Sequence, residues 1–282
     1  LHAYLGLHIL AREIIFVDLA FAQIAALGTT FGLLFGVEVG TPLSVLGALG
    51  FTLVGALLFS FTRMEDSPVP QEAIIGIAYV VASAAVILFA GFTPEGAEHI
   101  KETLTGTLIW VDWPTIFKMS SAYAAMGFFH FLVRRKMIAV SFAPERIRHL
   151  RLWDFLFYVS FGIVISFSVE IAGVLMVFSS LVIPGVVAFL FTNRFGTALV
   201  LAWGAGTLAI VGGIAASFIW DLATGPLLVC SFGVVLVLAF VLRRLLPVRT
   251  GSEVVVTGLA AGAAGERGPA AGAVPSASAL AP

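Results

Sequence analysis

The sequence predicts an all-α, polytopic bundle of membrane-spanning helices, about eight to nine spans in number. Three observations carry this. Hydrophobic residues make up 60% of the 282 positions and charged residues only 11%, where a soluble domain carries about 25% charged residues. The apolar residues are gathered into runs approaching the roughly 20 residues that a helix needs to cross the hydrocarbon. The runs are continuously apolar, and a transmembrane β-barrel requires alternation.

A stub of apolar residues before Arg12 is too short to span alone and reads as the end of an incomplete first helix. It lacks the basic start and small-residue cleavage site of a signal peptide. Eight long apolar segments follow, near 14–36, 42–62, 73–92, 114–133, 152–169, 172–192, 197–219 and 226–242. Placing Arg134, Arg135, Lys136, Arg146, Arg148 and Arg151 in one cytosolic loop fixes the orientation, because cytosolic loops are enriched in Lys and Arg. Arg12, Arg63, Arg194, Arg243, Arg244 and Arg249 then fall on the same side, so twelve of the fifteen basic residues are cytosolic. A missed or added span would scatter them. Residues 1–250 thus form the transmembrane domain. Residues 251–282, rich in Ala, Gly, Pro and Ser, are expected to be disordered.

Between Thr93 and Trp113 lies an exterior loop with the short apolar piece "LTGTLIW", expected at the interface or against a partner and held there by Trp110 and Trp113. Of the 29 glycines, Gly32, Gly47, Gly50, Gly55, Gly204, Gly206, Gly212 and Gly213 lie inside spans, where small residues let helix backbones approach closely.

The charge balance excludes a basic nucleic-acid surface, since the net charge is -1. The single cysteine, Cys230, excludes an internal disulfide or a thiolate metal cage. There is no phosphate-binding loop and no HExxH pair, so any ATP-driven work falls to another subunit. His8, His99, His130 and His149 show no ligand spacing; His130 reads as a hydrogen-bonding group between helices.

Ionisable groups within or beside the spans are few, and such residues mark pathways by default. Asp18, in "IIFVDLAFAQIAALG", reads either as a cytosolic-edge acid paired with Arg12 or a neighbouring cation, or as a pathway residue. Gln23 on the same segment offers an interhelical amide. Glu170 reads as an interfacial acid or as the lining of an exterior cation mouth. Asp221 reads as a turn residue, and Glu72 as an acid favoured by a helix N-terminus. Pro184 sits inside the apolar run "VEIAGVLMVFSSLVIPG", where a broken helix would serve a protein-lined route.

Several of these stretches, in order along the chain, resemble the bacterial ABC-type permease family for zinc, manganese and iron. The marks are "REIIFVDLAFAQIAALG", "EAIIGIAYVVASA", "SFAPERIRHL", "VEIAGVLMVFSSLVIPG" and "IWDLATGP", running from about Arg12 to Leu242. The resemblance implies a non-enzymatic permease subunit of a bacterial cytoplasmic-membrane importer, working as a homodimer by alternating access. It implies an ATP-binding cassette ATPase as partner, which uses the ATP, and an exterior metal-binding protein that delivers the ion; this chain binds no cofactor itself. It makes Asp18, Gln23 and Glu170 candidate metal-path residues, and Pro144, Glu145, Arg146 and Arg148 the ATPase-docking segment. Two departures stand out. The family's Asp and His fall at Leu19 and Gln23, so the acid is displaced to Asp18 and the imidazole is replaced by an amide. The family's "F-[DN]-P-E" acid is Ala143 here. Oxygen donors without imidazole favour harder cations than zinc. The rival reading is a self-sufficient secondary transporter of a cation or small solute.

Overall fold

Helices that are apolar on every side cannot expose one face to water, so they must be buried in protein or in lipid. The structure, a computed structural model, describes residues 1–63, 69–92, 101, 103, 104, 106 and 111–245. Among them it holds nine helices: α1 His2–Ala11, α2 Val17–Leu33, α3 Pro42–Thr62, α4 Gln71–Ala90, α5 Trp113–Phe142, α6 Leu150–Ala172, α7 Val174–Phe191, α8 Phe195–Trp220 and α9 Thr224–Leu245. A 3-10 turn, Pro144–Arg146, joins α5 to α6. Seven of these helices, α3 to α9, are long and apolar enough to cross a membrane, and α2 is a shorter apolar helix of 17 residues. The eight apolar segments therefore correspond to α2 through α9.

Local chemistry sets several boundaries. Thr41 Oγ1 accepts from the Ser44 N–H at 3.3 Å, with Pro42 opening α3. Asp112 Oδ1 accepts from the Thr115 N–H at 3.0 Å at the start of α5. Both are side-chain caps on otherwise unsatisfied donors. Gly173, at φ +74, separates α6 from α7 in a conformation that favours glycine. The break expected at Pro184 is not there: α7 runs through it from Val174 to Phe191. Asp221 takes the left-handed conformation, φ 51, at the end of α8, a turn residue as expected.

α5 is longer than its apolar stretch and carries Arg134, Arg135 and Lys136 on its cytosolic end, not in a loop. Arg151 likewise belongs to the first turn of α6. Most of the exterior loop, including the core of "LTGTLIW" and Trp110, lies outside the described residues, as does the segment 251–282.

The core gathers where α2, α3 and α6 meet. Phe21, Phe59, Phe157, Tyr158 and Phe161 are fully buried there, with Phe21 and Phe59 edge-to-face at 5.3 Å. α4 packs on α2, α1 on α7, and α8 and α9 on α7 and on each other. The outer faces of α4, α8 and α9 expose large apolar side chains such as Val80, Leu208 and Val237, suited to lipid contact.

The tight crossings come from particular glycines. A Cβ on Gly28 would lie 2.6 Å from the Gly47 carbonyl oxygen, so α2 and α3 touch backbone to backbone; one on Gly213 would lie 2.7 Å from Ser231 Oγ. Gly50, Gly204 and Gly212 face open space, contrary to the packing role expected of them.

Candidate functional site

The described residues form two polar regions at opposite ends of the bundle. On the exterior side, a cavity of about 170 Å³ opens between the outer halves of α2, α3 and α6. Its polar lining comes from Thr29, Ser44, Thr103, Ser166 and Glu170, set among alanines of α2. Glu170 lies in the last turn of α6, and its carboxylate is 3.8 Å from Lys118 Nζ of α5. Both side chains are substantially exposed, 39% and 43%. An exposed pair at that distance is loose, worth roughly 0–1 kcal/mol.

The other two candidate path residues lie elsewhere. Asp18 occupies the first turn of α2, near the cytosolic face and 1% exposed. Its Oδ1 accepts from the Leu19 N–H at 2.8 Å, and its Oδ2 has no partner among the described residues. Arg12 does not pair with it. Gln23 is buried in α2, yet its amide makes no hydrogen bond among the described residues. The fold thus does not bring Asp18 and Glu170 together. Among the described residues no group of three or more His, Cys, Asp or Glu is placed to hold a metal ion.

Glu72 does more than favour its own helix. Its Oε1 accepts from the Phe16 N–H at 3.0 Å, so a side chain at the start of α4 satisfies a donor at the start of α2.

The cytosolic region centres on a residue that the sequence reading passed over. Asp154, just past the first turn of α6 and 1% exposed, accepts through one oxygen from two arginines. Arg12 Nη1 is 2.8 Å and Arg63 Nη1 2.7 Å from its Oδ1. Arg12 Nε donates to Ser141 Oγ at 2.9 Å, and its guanidinium lies over the Phe157 ring at 3.8 Å. His8 Nδ1 meets the same Ser141 Oγ at 2.8 Å. Beside this cluster, Gln71 Nε2 donates to the Tyr158 hydroxyl at 3.0 Å and the Phe59 carbonyl at 2.8 Å. His130 bonds Ser160 across α5 and α6 at 2.9 Å, the interhelical role expected of it. An acid one turn into an apolar run, facing the side where the arginines collect, was the available signal for Asp154.

The connection from Ala143 to His149, which contains the turn Pro144–Arg146, lies between Ser141 and Asp154 in the chain. Glu145, Arg148 and His149 are exposed on it, and Pro144 is half-buried. His149 is left-handed, φ 62, where the chain enters α6.

Comparison with known proteins places these features in context. The model of the ABC 3 transport family matches residues 1–243. The chain is 27% identical over 224 residues to the chelated iron transport system membrane protein YfeD of Yersinia pestis, covering 77% of this chain and 74% of that protein. It is 26% identical over 210 residues to the manganese transport system membrane protein MntC of Halalkalibacterium halodurans, covering 69% and 68%. Its fold is shared with PsaBC from Streptococcus pneumoniae in complex with Fab, at a TM-score of 0.69 and 18% identity over 85% of each chain.

Proposed function

Because the chain belongs to the ABC 3 transport family, we propose that it is the permease subunit of an ATP-binding cassette importer for divalent metal ions, moving manganese or iron in preference to zinc. It is a multi-pass protein of the bacterial cytoplasmic membrane and a transport component, not an enzyme. The observation that carries the proposal is the reach of the family match, which takes in every described helix except the last residues of α9 and so includes both polar regions.

The preference among metals rests on donor chemistry. Asp18, Gln23 and Glu170 offer oxygens alone, and oxygen donors suit manganese better than they suit zinc. Relatives named for chelated iron and for manganese transport agree with that preference. In this reading an exterior binding protein delivers the ion over the cavity lined by Glu170. The ion displaces Lys118 from the carboxylate and moves inward past α2, where Gln23 and Asp18 lie. Two copies form the conduit, and an ATPase subunit docks on each cytosolic turn at Pro144, Glu145, Arg146 and Arg148. ATP use belongs to that subunit. Its closure shifts the permease between two packings, each with its own contacts to the ion.

The test is reconstitution in proteoliposomes. With its ATPase subunit and ATP, the chain should accumulate manganese(II) against a gradient; alone, it should not. Accumulation by the chain alone under a proton gradient would establish the secondary transporter instead.

A further inference from the structure

Arg12 holds both feet of the cytosolic turn. Ser141 lies in the last turn of α5 and Asp154 just past the first turn of α6, and the turn Pro144–Arg146 lies between them. One guanidinium bonds to both: its Nε donates to Ser141 Oγ at 2.9 Å and its Nη1 to Asp154 Oδ1 at 2.8 Å. Asp154 in turn holds Arg63 at 2.7 Å. These residues occupy the cytosolic ends of three particular helices. Arg12 caps the end of α1, Arg63 caps the end of α3 and Asp154 lies just past the first turn of α6. Of these, α3 and α6 line the exterior cavity at their other ends, together with α2, into which α1 leads.

We propose that Asp154 is the coupling residue of this permease: a positioning residue that ties the cytosolic turn to α1, α3 and α6, so that displacement of the turn reaches the exterior cavity through α3 and α6. This rests on the reading that an ATPase docks at the turn.

The chemistry suits a device with two states. Two cations share a single carboxylate oxygen, so they repel each other and Asp154 holds them side by side. Displacing Asp154 breaks both ion pairs at once, the one at the end of α1 and the one at the end of α3. The second oxygen, Oδ2, is buried without a partner among the described residues, which leaves acceptor capacity for a different arrangement. Apolar packing of Phe21, Phe59 and Phe161 already joins α2, α3 and α6. A buried ion pair adds little to stability that such packing would not supply, and its better-attested uses are in registry and switching. The planar fork of arginine, held over Phe157, reaches Ser141 and Asp154 in a fixed geometry that lysine cannot reproduce.

The test uses the complex of this chain with its ATPase subunit in proteoliposomes, following manganese(II) uptake and phosphate release in parallel. Asp154→Asn should co-purify with the ATPase and hydrolyse ATP, while manganese moved per ATP falls by about tenfold, the size of a typical coupling energy between sites. Asp154→Glu should restore part of the ratio. Arg63→Gln, at the most exposed of the three charged side chains, should lower it in the same direction. A wild-type ratio in Asp154→Asn would overturn the proposal, as would an equal fall in hydrolysis and uptake. If Asp154→Asn fails to assemble, Arg63→Gln decides: a lowered ratio supports the coupling role and an unchanged one overturns it. A wild-type complex without ATP-dependent uptake would overturn the transport reading and the coupling role together, whereas wild-type uptake with unchanged variant ratios overturns the coupling role alone.

Discussion

Asp154 and Glu170 stand at opposite ends of one helix, α6, about 24 Å apart at 1.5 Å of rise per residue. The first faces the cytosolic turn and the second faces the exterior cavity. Between them α6 buries Phe157, Phe161, Val164 and Ile165 against the core, so the two charged ends are joined by a packed rod. A rigid element that both sites touch is the physical requirement for communication between them.

Glu170 should govern how readily the cation enters. Glu170→Gln removes the only carboxylate that the described residues bring to the cavity lining and should raise the manganese concentration for half-maximal uptake by about tenfold, the worth of a charged contact near 1.4 kcal/mol. Lys118→Gln should lower that concentration, because the competing ammonium is gone. Maximal rate should change little in either variant. Proteoliposome uptake curves for the two decide it: shifts in the same direction would separate Glu170 from the cation path.

Gly162 sets how closely α6 approaches its neighbours. A Cβ there would lie 2.4 Å from Thr52 Cγ2 and 3.0 Å from the Phe21 ring. Both neighbours are packed, so Gly162→Ala should destabilise the protein by about 1–3 kcal/mol, the range for overpacking. Gly50→Ala, where nothing lies within 4 Å, should leave stability unchanged or slightly raised. Thermal unfolding of the two variants in detergent compares them directly; equal melting temperatures would contradict the packing of α6 against α2 and α3.

Glu72 is expected to hold α4 to α2 through the Phe16 N–H. Glu72→Ala removes that acceptor and should lower stability by about 1 kcal/mol, the net worth of such a hydrogen bond. Glu72→Gln keeps an oxygen in place and should recover most of the loss. Denaturant melts of the purified chain measure both, and an alanine variant as stable as the native chain would show the contact to be dispensable.

Helix count was legible because the bilayer sets it. Span length is a one-dimensional signal, and α2 to α9 follow it. The turn at Asp221 was legible for a similar reason, since its chemistry is local. The charge partners were not. Arg12 has an acid six positions on, Asp18, and local reading pairs them; its actual partner is 142 residues away, and Arg63 reaches Asp154 across 91. Nothing in periodicity encodes a meeting at that separation, which depends on how α1, α3 and α6 cross. The glycines divide likewise: Gly47 and Gly213 face a neighbour, whereas Gly204 and Gly212 face outward. Glu170 was placed at the exterior side from topology alone, but the cavity beside it exists only once α2 and α3 are packed.

The docking role of the cytosolic turn can be separated from its role as a merely basic segment. Arg148 is exposed, and Arg146 belongs to the 3-10 turn at the tip of the connection. Reversing both charges leaves Arg12, Arg63 and Asp154 themselves unchanged. Positive charge on a short cytosolic loop also guides insertion, but Arg134, Arg135, Lys136 and Arg151 remain on the flanking helices to supply it. The double variant Arg146→Glu and Arg148→Glu should therefore insert normally while failing to retain the ATPase subunit, and its uptake of manganese should be abolished. Truncating a rim charge slows association, whereas inverting it adds like-charge repulsion worth several kcal/mol at an interface. Membrane fractionation reports insertion, and co-purification from membranes reports docking. A double variant that inserts and still retains the ATPase in native amount would show that these two arginines serve topology only.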